Sequence, residues 1–384
     1  MFHARRLAVL VLVVCTGLVC LRGSALPAVR ASLPERLTNA EFWDLTERMS
    51  EPGGSFRSDN FLSNERGYQV VIPDLLKTAK PNRVYLGVGP EQNFPYIIAL
   101  EPAMAFIFDI RRGNLHEQLL YKALFEMSKD RADFLSRLWS RARPDGLTPA
   151  STVDELMAAY EPVAPTPKAY AENLEAVTEW LTKTHHFALH DGDREGIDYV
   201  YKTAFYDGGP DLNYSMGGGF GGNRSTFAEL QMLDDGQGVN RGFLATEKNW
   251  LAIKDLETRN LIVPVVGDFG GPFAIRAVGA YLKAHDALVS AFYLSNVEQY
   301  LNQDGKEESF LCSVAALPLD DTSTFIYTGG GRYGRGFGRG FGGGFGRGGG
   351  RGGGLNVTFL RPMLADAQSC TTAAPAAAAP GRLQ

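Results

Sequence analysis

Residues Arg83–Arg112 read RVYLGVGPEQNFPYIIALEPAMAFIFDIRR. Val84-Tyr85-Leu86 is a short run of strand formers that enters the glycine turn Gly87-Val88-Gly89-Pro90. Apolar residues then recur at helical spacing through Phe94, Ile97, Ile98 and Leu100, and a second strand, Ala105–Phe108, ends in Asp109. Strand, glycine turn, helix and strand, in that order, make the first βαβ half of a nucleotide-binding α/β sheet. Glycines let the backbone turn tightly beside a ligand, and a carboxylate about 20 residues on can accept hydrogen bonds from ribose hydroxyls. Gly87 and Gly89 lack the third glycine of the full fingerprint, so the reading rests on the element order and on the placement of Asp109.

Upstream of this unit, Asn39 reads as the cap of a helix Ala40–Met49, followed by a loop to Asn64 and a second helix from about Glu65 to Thr78. Downstream, Gly113-Asn114 opens a helix with Leu115, Leu119, Leu120, Ala123, Leu124 and Met127 on its apolar face. Helices also read over Asp130–Arg143, Ser151–Tyr160 and Ala169–Thr184, the second opened by a Thr152/Glu155 capping box. His185–Arg241 is loop-rich. Regularity returns with Thr246 capping Glu247–Arg259 and with Leu261–Val266, a fully apolar strand of the type buried on both faces. Gly267–Gly271 turns into a helix Pro272–Ala284. Ala287–Leu294 is a further strand, Ser295–Leu301 a short helix, and Ser323–Thr328 with Leu355–Leu360 a hairpin.

The expected fold class is therefore α/β: a doubly wound, mostly parallel sheet with helical insertions and a C-terminal β-hairpin. The ordering is that of class I methyltransferase-like folds, in which such a hairpin inserts an antiparallel strand. On that mapping Leu261–Val266 is the fourth strand and Ala287–Leu294 the fifth. The expected organisation is a signal peptide over 1–31 and a helical segment over 32–80. A Rossmann-like domain follows over 81–328, carrying an insertion at 130–245, then a glycine-rich tract at 329–354, a closing strand at 355–368 and a tail at 369–384.

The 384 residues suffice for a sizeable core, and 45% apolar with 21% charged residues is ordinary for a globular chain. A net charge of −5 gives no general pull toward nucleic acid or anionic membrane. Arg5 and Arg6 precede an apolar run, Leu7–Leu21, and small residues follow at Gly23-Ser24-Ala25 and Ala28–Ala31. This is the pattern of a secretory signal cleaved after Ala25 or Ala31, with a retained N-terminal anchor as the alternative. The expected location is periplasmic or extracellular, with membrane contact limited to the signal segment. Of four cysteines, Cys15 and Cys20 fall in that signal; Cys312 and Cys370 could pair in an oxidising compartment, but the favoured reading is a buried Cys312 and a loose Cys370 in the tail.

The segments SDNFLSNE (58–65), VYLGVGPEQNF (84–94), FDIRRGN (108–114), LIVPVVGDFGGP (261–272), AFYLSNVEQYL (291–301) and LPLDDTSTFI (317–326) resemble an uncharacterised family of bacterial proteins with a methyltransferase-like Rossmann fold and no established activity. The resemblance implies S-adenosylmethionine, or a related nucleoside, as the cofactor. Gly87 and Gly89 would pass close to it, Asp109 would hold its ribose, and Asn60 in SDNFLSNE would sit on a lid together with Asp59 and Asn64. Asp268 and Asn296, after the two later strands, are the candidate catalytic residues, able to orient a substrate nucleophile. Each has a structural alternative: Asp109 as partner of Arg111 or Arg112, Asp268 as a helix cap, and Ser295 with Glu298 as a capping box.

His185, His186, His190, Asp191 and Asp193 do not make a metal site, because adjacent histidines on a helix point apart. No G-x-S-x-G elbow, P-loop or cysteine zinc pattern is present. The tract 329–354, with Arg332, Arg335, Arg339 and Phe337 among glycines, is expected to be a disordered spacer, since export leaves nucleic acid out of reach. The expected partner is a small molecule. The two functions in view are a possible S-adenosylmethionine-dependent methyltransferase and a non-catalytic exported binding protein that keeps the fold.

Overall fold

Six strands form one sheet in the order β3-β2-β1-β4-β5-β6. They are β1 Val84–Val88, β2 Met104–Asp109, β3 Ile262–Val266, β4 Val289–Ser295, β5 Thr324–Gly329 and β6 Val357–Pro362. The structure is a computed structural model and describes residues 32–63, 65–214, 225–329 and 357–372. All neighbours pair in parallel except β5 and β6, which are antiparallel from Thr324↔Pro362 to Gly329↔Val357. The chain winds outward from β1 to β3 on one side and from β4 onward on the other, so the order reverses between β1 and β4. Apart from Gly329, the glycine-rich tract at 329–354 lies outside the described residues, as do the Gly217–Gly222 run and the signal segment.

Every residue of β1, β2 and β3 is buried, as the uninterrupted Val/Ile/Phe runs require for strands covered on both faces. β3 nevertheless lies at the edge. Its outer edge is capped by the segment after helix Asn39–Met49: the Glu51 amide donates to the Val266 carbonyl (2.8 Å) and the Val266 amide to Ser50 Oγ (2.9 Å). An edge position also tolerates Pro264, which has no amide to donate.

The strand numbering inferred from sequence needs correcting. Among the described residues no other strand intervenes between β2 and Leu261–Val266, so that segment is the third strand beside β2, and Val289–Ser295 is the fourth, beside β1. The antiparallel strand lies at the outer edge beyond β5 rather than between parallel strands.

Helix Arg112–Met127 is buried nearly all round. It packs on β2 and β3 and against helices of the long excursion between those strands, which cover its polar residues. Asp193 accepts from Arg112 at 2.6 and 2.8 Å and lies 2.8 Å from His116 Nε2. Gly196 is required there, since a Cβ would stand 2.1 Å from the His116 ring. Phe94, Tyr121, Phe125, Phe134, Phe243 and Trp250 form an aromatic cluster tying this excursion to the first βα unit.

Other departures are local. The stretch read as loop-rich contains helix Asp193–Val200, continued by a π turn Tyr201–Tyr206, and helix Phe227–Gln231. The helix expected from Glu65 shrinks to Ile72–Leu75, because Glu65 is drawn beneath β4 and β5. Thr38, not Asn39, is the first cap, in a capping box with Glu41. Cys312 and Cys370 are joined as a disulfide, so Cys370 is not a loose thiol; residues 357–372 fold back against helix Glu307–Val314 and bring the sulfurs together.

Candidate functional site

A cavity of about 210 Å³ opens at the carboxyl ends of the strands, where the order reverses between β1 and β4. Crossovers leave on opposite faces at such a point, which opens a crevice where a ligand can reach the strand tips. Its walls come from Val88-Gly89-Pro90 and Gln92 after β1, Asp109–Arg111 after β2, Asp268 and Phe269 after β3, and Ser295-Asn296-Val297 after β4. Asn60, Leu62 and Ser63 close one side, and Phe56, Tyr214 and Tyr300 add aromatic surface.

Asn93 shapes the floor. Its Nδ2 donates to the carbonyls of Val88 (3.0 Å), Gly89 (3.2 Å) and Pro90 (2.7 Å), while its Oδ1 accepts from Tyr85 Oη at 2.9 Å. Gly87 exists for this side chain: a Cβ would stand 1.8 Å from Asn93 Oδ1. Gly87 therefore does not line the cavity. Gly89 does, and its φ of +79° is the left-handed turn that aims the next residues into the helix.

Asp109 reaches the cavity already engaged. Arg111 donates to it from its amide (2.8 Å), from Nε (3.0 Å) and from Nη2 (2.7 Å). Both carboxylate oxygens are held by one guanidinium in the bidentate geometry that suits arginine best. Asn60 also lines the cavity, at φ +49°, and its Oδ1 is buried without a hydrogen-bond partner among the described residues. Asp59 instead accepts from Tyr199 at the surface, and Asn64 lies outside the described residues.

Asp268 and Asn296 both line the cavity. Asp268 takes the Gly270 amide at 2.9 Å and Lys306 Nζ at 2.6 Å, so it closes its own turn and caps no helix. Asn296 precedes helix Val297–Gln303 without a capping bond from its side chain. The Ser295/Glu298 capping box does not form. Glu298 pairs with Arg361 of β6 at 2.5 Å, and the Ser295 hydroxyl turns the other way, donating to Glu65.

Glu65 was not singled out by sequence. It is 1% exposed, and it also accepts from Tyr293 Oη (2.8 Å) and Thr328 Oγ1 (2.7 Å). Burial raises its pKa, opposed by the three hydroxyl donors. From sequence it reads as the polar first residue of the helix expected to Thr78; its partners lie more than 220 positions away, where no local pattern can reveal them. Lys306 and Tyr300 were also missed, both arriving from the segment after β4.

Residues 60–207 and 222–338 match the family model described as Domain of unknown function (DUF7790). The chain belongs to the DUF7790 family. The matched residues of this DUF7790 chain hold every cavity-lining residue from Asn60 to Lys306 except Tyr214, while Phe56 precedes the match. No curated protein matches the chain.

Behind the cavity floor of this DUF7790 domain, Glu91 is 2% exposed and burial pushes its carboxyl up to about 8. Glu117, buried beside it, is likewise raised well above the ordinary carboxyl value, by burial first and then by the Glu91 charge. The histidines of 185–190 are dispersed: His185 pairs with Glu126 and His190 with Glu47, each at 2.5 Å. Among the described residues no group of three or more His, Cys, Asp or Glu is placed to hold a metal ion.

Proposed function

We propose that this DUF7790 chain is an exported protein whose cleft binds a small nucleoside-like molecule, S-adenosylmethionine being the form that the resemblance to class I methyltransferases suggests. The observation that carries the reading is the convergence of Gly89, Asp109, Asn60, Asp268 and Asn296, drawn from five separate segments, on one cavity at the strand-order reversal. The aromatic walls suit a flat base, and the β1–Gly89–Asp109 arrangement suits a ribose. Asn296 follows the fourth strand beside β1, where methyltransferases of this class carry the group that orients the nucleophile. Asp268, after the edge strand β3, then becomes a wall residue rather than a catalytic one.

The Arg111 clamp favours the second reading, a non-catalytic binding protein. A ribose diol could reach Asp109 only by displacing a bidentate guanidinium. A cleft specialised for another ligand has no need to do so.

Calorimetric titration of the chain with S-adenosylmethionine and S-adenosylhomocysteine, beside Asp109→Ala, separates the readings. Micromolar binding lost in the variant supports the cofactor site. No heat with either compound rejects the methyltransferase reading and leaves the binding protein.

A further inference from the structure

We infer that Ser295 is a nucleophile and that Glu65 is the base that accepts its proton, which makes the cleft an esterase site for small apolar acyl esters. This goes beyond the binding reading and stands or falls independently of the nucleoside.

Three observations carry it. Ser295 is the last residue of β4, half-buried, and lines the cavity beside Asn296 and Phe269. Its backbone is held at φ +51°, a conformation that costs a non-glycine residue about 1 kcal/mol or more, at a point where the β4–β5 register slips between Tyr293 and Ser295. Such strain at a strand end persists only when the surroundings enforce it, and here it turns the side chain out of the strand toward a carboxylate. The third observation is that carboxylate. Glu65 is fully buried, accepts the Ser295 hydroxyl proton in a hydrogen bond, and is fixed in place by Tyr293 and Thr328 at 2.8 and 2.7 Å. Burial raises its basicity, and with its second oxygen occupied by those two hydroxyls, Oε1 is the oxygen presented to Ser295. Phe56, Leu62, Phe269 and Leu301 supply the apolar wall for the acyl chain.

The step balances with water as the second substrate. Ser295 Oγ forms a bond to the acyl carbon while its proton passes to Glu65 Oε1. The bond to the leaving alkoxide then breaks, and that oxygen takes the proton back. Water attacks the acyl-serine, again giving a proton to Glu65, which returns it to Oγ as the carboxylic acid departs.

The test uses an alkyl fluorophosphonate on the full chain with its disulfide intact, the adduct being mapped by peptide mass spectrometry. The expected result is one adduct on Ser295, absent in Ser295→Ala, with a labelling rate that rises through a single ionisation as pH increases from 5 to 9. Glu65→Gln, checked for folding by its melting temperature, should slow labelling by about 100-fold or more. Thr358→Val, which changes the same buried hydroxyl cluster at a residue bonded to Thr328 rather than to Glu65 or Ser295, should label within a few-fold of wild type. No adduct on Ser295 overturns the proposal, as does labelling unchanged in a folded Glu65→Gln. An equal loss in Thr358→Val also overturns it, because reactivity would then follow local packing. Should Glu65→Gln fail to fold, the wild-type profile decides: a rate flat with pH overturns the proposal and a single ionisation supports it.

Discussion

Glu91 shows what burying one carboxyl does to this chain. Its neighbours on the loop, Gly89 and Gln92, line the cavity while Glu91 does not, and its Oε2 has no hydrogen-bond partner among the described residues. Its folded pKa of about 8 stands above the unfolded value of 4.5, so between those pH values the native state holds a proton that the unfolded chain has released. Stability from this group is complete below about pH 4.5 and is lost as pH rises through 8. The full span would be about 5 kcal/mol, an upper bound for a site that water can enter. Glu91→Gln keeps the shape and removes the titration. In urea unfolding from pH 4.5 to 8, the variant should gain roughly 1–3 kcal/mol on wild type across that range; parallel curves would show that Glu91 titrates normally. The contrast with Asp109 explains what sequence could disclose. Asp109 was readable because its place follows from strand length and turn spacing. Glu65 and Glu91 were not, because burial and partners are set by segments far away in the chain.

The elements were more legible than the side chains. β1–β4 and the helices opened by Thr152 and Thr246 announce themselves through apolar runs and caps, all local signals. Failures came where tertiary contacts override local preference: Glu65–Val71 gave up its helix to bury Glu65, and Asp193–Val200 is helical because its Ile197 and Val200 pack into the excursion. The hairpin offers a test at this scale. β5 and β6 remain in register to their last pair, Gly329↔Val357, so the ends of the insertion face each other directly. β6 is also anchored away from the tip, by Arg361 on Glu298 and over the Tyr327 ring. Replacing residues 330–356 with Asn-Gly, which suits a two-residue hairpin turn, should therefore raise stability by roughly 2 kcal/mol, since loop-closure entropy falls by about 0.6 kcal/mol for each halving of loop length. The measurement is the urea midpoint and slope. A loss above about 3 kcal/mol would mean that the segment packs on the domain.

For the whole molecule, the disulfide links stability to compartment. Cys312 and Cys370 are 58 positions apart, and the loop they close contains β5 and β6, the strands that complete the sheet beside β4 and hold Thr328 on Glu65. Closing such a loop removes unfolded-chain entropy worth about 4 kcal/mol in the simplest treatment, and measured values commonly fall between about 2 and 4. A bond of this kind forms and lasts in an oxidising environment, which agrees with the signal-like N-terminus. The two features can be read in one preparation, because the remaining cysteines, Cys15 and Cys20, both lie ahead of the expected cleavage sites. Material recovered from the periplasm or medium of an expressing bacterium should begin at Leu26 or Ser32 by intact mass. It should show no free thiol when unfolded without reductant. On reduction, its urea midpoint should fall by the equivalent of about 2–4 kcal/mol. A chain that begins at Met1 with two reactive thiols would establish a retained anchor with the bond still formed. Four reactive thiols would place the protein in a reducing compartment and remove the support for export.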